Sequence, residues 1–529
     1  MKKLFVILFL FSLVSIWPFF KNGYFESHDG EWMVIRFTAF HQTLRAGQFP
    51  VRFVDRLNSN YGYPVLNFLY PLPFYLAEIP KILGFNFVDS IKAIFALSSV
   101  FSSLVMFWAL SQKFDKYSAF AGSILYLFIP YRFVDLYVRG SLGECLAFAF
   151  VPLCLVAIFK IQNGKKIYLP VLSISIALLI LSHNVIAMLF LPLLLTIALI
   201  LIKENKIYVI ASFVLGILIP SFFVIPAVYD LKYVKLPQIK IGNPQDHLVN
   251  IIDLIIPKWG YGPTPHGASP LPVQIGIVPL FIAIAALSLQ VFKKNKDLII
   301  KVLLFIFLLV IFLMSKFSSF FWANFPFSDL IQFPWRLLSI TVFISSFLAA
   351  CLISLSKNRK VLTFIVVAAS IVSTILYTKP ASFTNKDDGF YSTNEGTTTV
   401  QDEYLPLWVK VQKPQRANNK IQLPDTARIE SLNIRPTSYT ATIKSDTATN
   451  VEVNSIYFPG WQVKVDNRIT PISLVDDFGL INFQLPQGEH KVIIKYTETP
   501  VHAAADLISI GSLASAGISF FILWRKQNS

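Results

Sequence analysis

The chain is predicted to be a polytopic α-helical membrane protein of about twelve transmembrane helices, with a β-sandwich-like domain outside the cytoplasm. Three observations carry this. Of 529 residues, 54% are apolar and 14% charged, and the mean hydropathy is +0.59, too apolar for a soluble protein of this length. Apolar runs of near-spanning length recur at 4–20, 92–111, 117–131, 144–159, 168–181, 185–202, 207–228, 272–292, 299–315, 337–355, 361–377 and 503–524. Residues 379–500 differ in kind, being polar, nearly charge-balanced and marked by strand-like alternation.

The first run follows Lys2 and Lys3, as in a secretory signal, but no small-residue cleavage site follows it. Trp17, Phe19 and Phe20 flank Pro18 as an interfacial aromatic belt would, so an uncleaved first helix is expected. An even number of crossings puts both termini on one side. That side also holds Lys113 and Lys116; Lys160, Lys165 and Lys166; Lys203 and Lys206; Lys293, Lys294 and Lys296; Lys357, Arg359 and Lys360; and Arg525 with Lys526. Basic loops stay in the cytoplasm, so the protein is expected to be a multi-pass protein of the cytoplasmic (inner) membrane.

Residues 65–83 are apolar but interrupted by Pro71, Pro73 and Pro80, and are expected to lie along the outer surface or re-enter; a crossing there would reverse every later loop. The expected organisation is a transmembrane domain over 1–378 with its first outer loop at 21–90, an extracytoplasmic β domain over 379–500, and a last helix with a cytoplasmic tail over 501–529. Strands are read at Val451–Tyr457, Trp461–Val465, Leu480–Leu485 and Lys491–Tyr496, with turns at Pro459–Gly460 and Pro486–Gly488. Cys145, Cys154 and Cys351 all lie in apolar runs, which supports neither a disulfide framework nor a thiolate metal site. The formal net charge of +16 follows from these lysine-rich loops, not from a basic face that would bind nucleic acid.

Behind the first helix, one stretch crowds His28, Asp29, Glu31, Arg36, Arg52, Asp55, Arg56 and Asn58 together, then closes with Tyr61, Gly62, Tyr63 and Pro64. Ionisable residues at a membrane surface mark function by default. Asp29 could take a proton from a hydroxyl while staying near lipid, or could simply cap a helix starting at Gly30. His28 is a neighbour rather than a base. Arg52, Arg56, Arg132, Arg139 and Arg336 could clamp a phosphate, because a guanidinium meets phosphate oxygens as a fixed fork, or could snorkel and pair with Asp55, Asp135 and Glu144. His183 and Asn184 are read as ending a helix at the membrane edge, beside Trp335 on the same outer face. No phosphate-cradling glycine loop or Ser/His/Asp order occurs, so a cytosolic nucleotide donor is not expected, and a lipid phosphate fits best.

Ser27–Trp32, the Gly47–Pro50 turn, Arg52, Tyr61–Pro64, Tyr70–Pro73, Pro130–Glu144 with its core at 137–140, Ser182–Asn184 and Phe333–Arg336 resemble a bacterial and archaeal membrane family named 6-pyruvoyl-tetrahydropterin synthase-related. That family is similar to the GT-C glycosyltransferase superfamily. Tyr457–Trp461 and Leu485–His490 resemble the outer β domain of YfhO-like proteins.

The resemblance implies a GT-C-like fold and a transferase using a polyprenyl-phosphate-linked sugar, with an acidic residue of the first outer loop as base. Asp29 holds that position, and His28, Glu31, Arg52, Arg56, Tyr61, Arg132, Asp135, Arg139, Glu144, His183, Asn184, Trp335 and Arg336 are the expected substrate contacts. The acceptor is expected to be an extracytoplasmic envelope glycan, lipid or protein. No cofactor is expected. GT-C members often carry an Asp-X-Asp pattern; Asp29, Gly30, Glu31 is a variant of it, which leaves a divalent metal open. A transporter or a non-catalytic scaffold for lipid-linked glycans is the alternative.

Overall fold

The computed structural model describes all residues except 205, 240, 241, 265, 266, 293–296, 326, 327, 398–401, 475 and 529. The expected cytoplasmic group Lys293, Lys294 and Lys296 therefore lies outside the described residues. All twelve apolar runs are helical along most of their length. Twelve crossings do not follow from this. Among the described residues six helices are long and apolar enough to cross a membrane: Phe87–Leu110, Leu142–Gln162, Asn184–Leu201, Pro334–Leu355, Arg359–Tyr377 and Pro500–Asn528. The number reaches eight if the bent pairs Lys116–Leu127 with Pro130–Arg139 and Lys206–Leu218 with Ser221–Tyr233 each form one span.

Helix α1 (Lys2–Ser15) leads through a 3₁₀ turn into the first loop, where α2 (Gly30–Arg45) begins. The proline-rich segment becomes α3 (Leu72–Ile82), which at 1.5 Å per residue is about 16 Å long, half of a hydrocarbon core. Ile79, Ile82 and Leu83 project outward from it, while Glu78 turns inward to His41 of α2 at 2.9 Å. α4 (Phe87–Leu110) packs on α1 through serines, Ser12 Oγ lying 2.8 Å from Ser103 Oγ, because small side chains let helices approach closely. α5 (Lys116–Leu127) breaks before α6 (Pro130–Phe133), and a π-helical turn, Val134–Arg139, carries the chain into α7 (Leu142–Gln162).

Lys113 lies over the Phe159 ring, Lys360 over Tyr117, and Arg359 lies 3.6 Å from Asp115. These contacts gather lysine-bearing helix ends at one end of the bundle. The opposite ends of α4 and α7 carry the first loop and the ionisable cluster; Lys92 of α4 donates to the Lys21 carbonyl at 2.6 Å.

The β domain consists of two antiparallel sheets. One has the order Arg468–Thr470, Trp461–Val465, Gly488–Tyr496, Ser438–Ser445, Ala427–Arg435, and the other Leu480–Leu485, Thr449–Ile456, Ile421–Gln422. Tyr439, Ala441 and Ile443 alternate inward and meet Val453, Val463, Phe483 and Ile494 in one apolar cluster. Phe53 of the first loop enters that cluster, edge-on to Trp461 and stacked on Tyr496 at 5.4 Å in both cases.

The four strands read from the sequence are all present. Four more were not anticipated, because Ala427–Arg435 and Ser438–Ser445 are rich in Ser, Thr and charge, while Ile421–Gln422 and Arg468–Thr470 are two or three residues long. Residues ahead of the strands join the first loop: Phe383–Thr384 pairs with Tyr24–Phe25, and the helix Asp388–Thr393 lies on α2, where Thr38 donates to the Tyr391 carbonyl at 2.9 Å.

Candidate functional site

Asp29 stands at the start of α2, where an aspartate usually bonds to the amides of the first turn, but no such side-chain bond forms. The site is assembled by its backbone. The amides of His28 and Asp29 donate to the carbonyls of Val138 and Arg139 at 3.0 and 2.8 Å. Two glycines permit this approach: a Cβ on Gly140 would stand 2.8 Å from the Gly30 nitrogen, and one on Gly30 would stand 2.4 Å from the Ser27 and Tyr24 hydroxyl oxygens. Gly140 also has φ +63°, which favours glycine. A π-helical turn closed by a left-handed glycine thus sets the half-buried Asp29 against Arg139.

From Arg139 a buried ionic cluster extends inward. Its Nη1 lies 2.6 Å from Asp135 and 2.8 Å from Glu144, and its guanidinium covers the Trp335 ring. Glu144 also accepts from the Tyr131 hydroxyl at 3.0 Å. On its other oxygen, Arg336 Nε approaches to 3.4 Å without hydrogen-bond alignment, and His183 Nε2 to 3.8 Å. His183 ends α8 (Tyr168–Ser182) as its C-cap, its amide donating to the Leu179 carbonyl at 3.2 Å, and also opens α9 (Asn184–Leu201), its Nδ1 accepting from the Ile186 amide; Asn184 belongs to α9 and does not share in ending α8. A neutral ring with that acceptor carries its proton on Nε2, facing Glu144. Asn184 is exposed.

Tyr70 packs on this cluster from the first loop. Its ring packs on His183 at 4.8 Å, and a Cβ on Gly143 would strike it at 2.4 Å. Burial, and after it the Asp29 carboxylate, push the Tyr70 phenol above its ordinary range, with Arg36 and Arg139 acting in the opposite sense.

The remaining sequence-derived residues go elsewhere. Glu31 is held by Lys386 and by the Tyr391 hydroxyl, both at 2.9 Å, so the two carboxylates of Asp29, Gly30, Glu31 diverge. His28 Nε2 lies 2.8 Å from the Tyr261 carbonyl. Arg52 is fully engaged: it meets Glu498 and Asp506 at 3.2 Å and donates to the Phe222 carbonyl at 2.8 Å. Arg132 turns into the bundle, donating to Ser102 at 2.8 Å and lying over Phe148. Tyr61 and Arg56 belong to the junction with the β domain, where the Tyr61 carbonyl accepts from the Ile456 amide and Arg56 donates to Thr38 at 2.7 Å.

Arg36 is the residue that sequence reasoning left out of the site. It is buried, and among the described residues it makes no hydrogen bond or ion pair. Its spacing held the signal: seven residues, about two turns, place it on the same face of α2 as Asp29.

Residues 66–243 match the model of the family described as 6-pyruvoyl-tetrahydropterin synthase related domain, membrane protein. A protein of Lactococcus lactis subsp. cremoris (strain MG1363), described as uncharacterized, is 25% identical over 246 residues, 44% of this chain and 40% of that protein. Among solved structures, the mycobacterial arabinofuranosyltransferase AftD aligns at 13% identity and a TM-score of 0.44, over 74% of this chain and 28% of AftD. The apo oligosaccharyltransferase of Archaeoglobus fulgidus aligns at 13% identity and a TM-score of 0.40, over 75% of this chain and 56% of that one. The chain thus spans less than half the length of the Lactococcus relative and of AftD that it matches.

Proposed function

We propose that the protein is a membrane glycosyltransferase that moves a sugar from a polyprenyl-phosphate donor to an extracytoplasmic acceptor. The observation that carries this reading is a carboxylate with no hydrogen-bond partner among the described residues, on a pinned backbone, with a buried and unpaired guanidinium two turns along the same helix face. A general base must be free to accept a proton and must not move, and Asp29 meets both requirements. A buried cation is costly unless an anion reaches it, and Arg36 meets none among the described residues.

In the reaction, an Asp29 carboxylate oxygen takes the proton of the acceptor hydroxyl as its oxygen attacks the anomeric carbon. The bond from that carbon to the phosphate oxygen breaks, and its electron pair leaves with the lipid phosphate. Arg36 stabilises that departing charge from a fixed position, with Arg139 and Arg336 nearby as further positive charge already balanced by Asp135 and Glu144. His183, neutral and hydrogen-bonded, positions Tyr70 rather than acting as a base.

The test is Asp29→Asn with purified full-length protein and a polyprenyl-phosphate sugar. Turnover is expected to fall about 10² to 10⁴-fold while donor binding persists. Arg36→Gln is expected to weaken donor binding. Full transfer by Asp29→Asn, or a wild type that moves the lipid without cleaving the sugar, would replace this reading with transport.

A further inference from the structure

A second polar site lies along α2, away from Asp29. A cleft of about 500 Å³ opens where the far half of α2, the first loop and the β domain meet, within the size range of small-molecule sites. One wall is amide-rich. Asn418 and Asn419 are exposed there without a side-chain bond among the described residues, and Asn60 spends its NH₂ on the Ala417 carbonyl at 2.8 Å, which leaves its oxygen free. The facing wall is aliphatic, formed by Val54 with Leu432 and Ile434, which are 43% and 46% exposed on the edge strand Ala427–Arg435.

The charge in the cleft is selective. Lys420 is neutralised by Asp55 at 2.8 Å, and Asp55 in turn accepts from the Tyr439 hydroxyl. Arg56 is anchored by one nitrogen only, Nη2 donating to Thr38 at 2.7 Å and to the Ile35 carbonyl at 3.2 Å. Its Nε and Nη1 are buried with no partner among the described residues. Glu395, the carboxylate whose charge acts on Arg56, is itself held by Arg416 at 2.7 Å. The cleft is therefore lined by a guanidinium with two nitrogens that are unpartnered among the described residues, by amide groups that both donate and accept, and by exposed aliphatic side chains.

We propose that this cleft binds a saccharide carrying an acidic group, with Arg56 holding the acid, the asparagines its hydroxyls and the Leu432–Ile434 face its C–H surface. With Nη2 committed to Thr38 and Ile35, Nε and Nη1 are separate N–H donors of a positively charged group, which suits carboxylate or phosphate oxygens equally, and amide side chains match vicinal hydroxyls. The identification of this saccharide as part of the acceptor rests on the glycosyltransferase reading; the binding itself does not. Thirteen residues separate Asp29 from Gln42, which lines the cleft, a distance of about 20 Å along α2. The acceptor class that follows is a chain several sugars long, gripped at a distance from its reacting end.

Binding is measured by calorimetry on the full-length protein in nanodiscs, with tetragalacturonate, mannose 6-phosphate and neutral maltotetraose as probes. At least one acidic probe is expected to bind saturably and more tightly than maltotetraose, and the tighter of the two acidic probes identifies the acid. Arg56→Gln should weaken that binding tenfold or more. Ile434→Trp, an exposed position that fills the cleft without touching the Arg56 anchor, should do the same while the melting temperature stays unchanged. Absence of saturable binding, equal affinity for maltotetraose, or unaltered affinity in Ile434→Trp would overturn the assignment. None of these readouts involves turnover, so their failure and that of the Asp29→Asn test are separate results.

Discussion

The amide of Asp29 donates to the carbonyl of Arg139 at 2.8 Å, so the half-buried carboxylate and the buried cluster are parts of one backbone construction. What allows it is the absence of two β-carbons, at Gly30 and Gly140.

Gly140→Ala is therefore expected to damage the site more than the fold. The new methyl would meet Ser27 Oγ at 2.5 Å and the Gly30 backbone at 2.8 Å, and backbone cannot swing aside as a side-chain end can. Overpacking of this kind costs about 1–3 kcal/mol, whereas a displacement of about 1 Å at a reacting group costs on the order of 100-fold in rate. A modest fall in melting temperature with a much larger loss of transfer is the expected result; equal activity would mean that Asp29 does not depend on this contact.

Glu144→Gln should destabilise the whole transmembrane part. Glu144 has no solvent exposure and is the shared partner of Arg139 and Arg336. Removing one member of a buried ion pair costs about 3–5 kcal/mol, because the remaining charge is stranded. Adding Arg336→Gln to Glu144→Gln should recover part of that loss, as read by thermal unfolding in detergent.

Sidedness can be read by labelling, since Cys145, Cys154 and Cys351 are buried and give little background. A cysteine at Ala448, exposed in the β domain, is expected to react with a membrane-impermeant maleimide in intact cells. A cysteine at Lys113, exposed at the lysine-bearing end of α4, should react only after permeabilisation. The reverse pattern would invert the topology.

The β domain should show a pH-dependent contribution from His490 and Asp466, whose Nδ1 and Oδ2 lie 2.6 Å apart. The bond to Asp466 raises the His490 imidazole above its ordinary 6.5, and the bond to His490, then the Lys491 amide, lower Asp466 below 3.8. The histidine contribution is complete below about pH 6.5 and is lost as pH rises through the raised value. The aspartate contribution is present above about pH 4 and is lost as pH falls through the lowered one. His490→Gln should therefore melt below wild type at pH 5.5 and coincide with it at pH 8.5.

Local patterning made much of this chain legible. The apolar runs, the start of α2 after Asp29, the turns at Gly460 and Gly488 and four of the strands all follow from composition and periodicity over a few residues. Pairing at long range leaves no such trace. Glu31 meets a lysine 355 positions away, and Arg52 meets an acid 446 positions away, so two residues that looked free in the sequence are spent on holding segments together. The same limit hid Glu144 as the centre of the cluster, because its partners come from three separate segments.

The clasp at Arg52 has a bearing on how the protein is made. Glu498 and Asp506 emerge from the ribosome more than 440 residues after the arginine they neutralise, an interval of between about 20 and 90 s at ordinary elongation rates. Throughout that interval the guanidinium lacks both carboxylates that neutralise it in the fold, while the Phe222 carbonyl is the earliest of its side-chain partners to be made. Completion of the first loop is thereby tied to arrival of the helix Pro500–Asn528, and a chain released before that helix would leave Arg52 without either carboxylate.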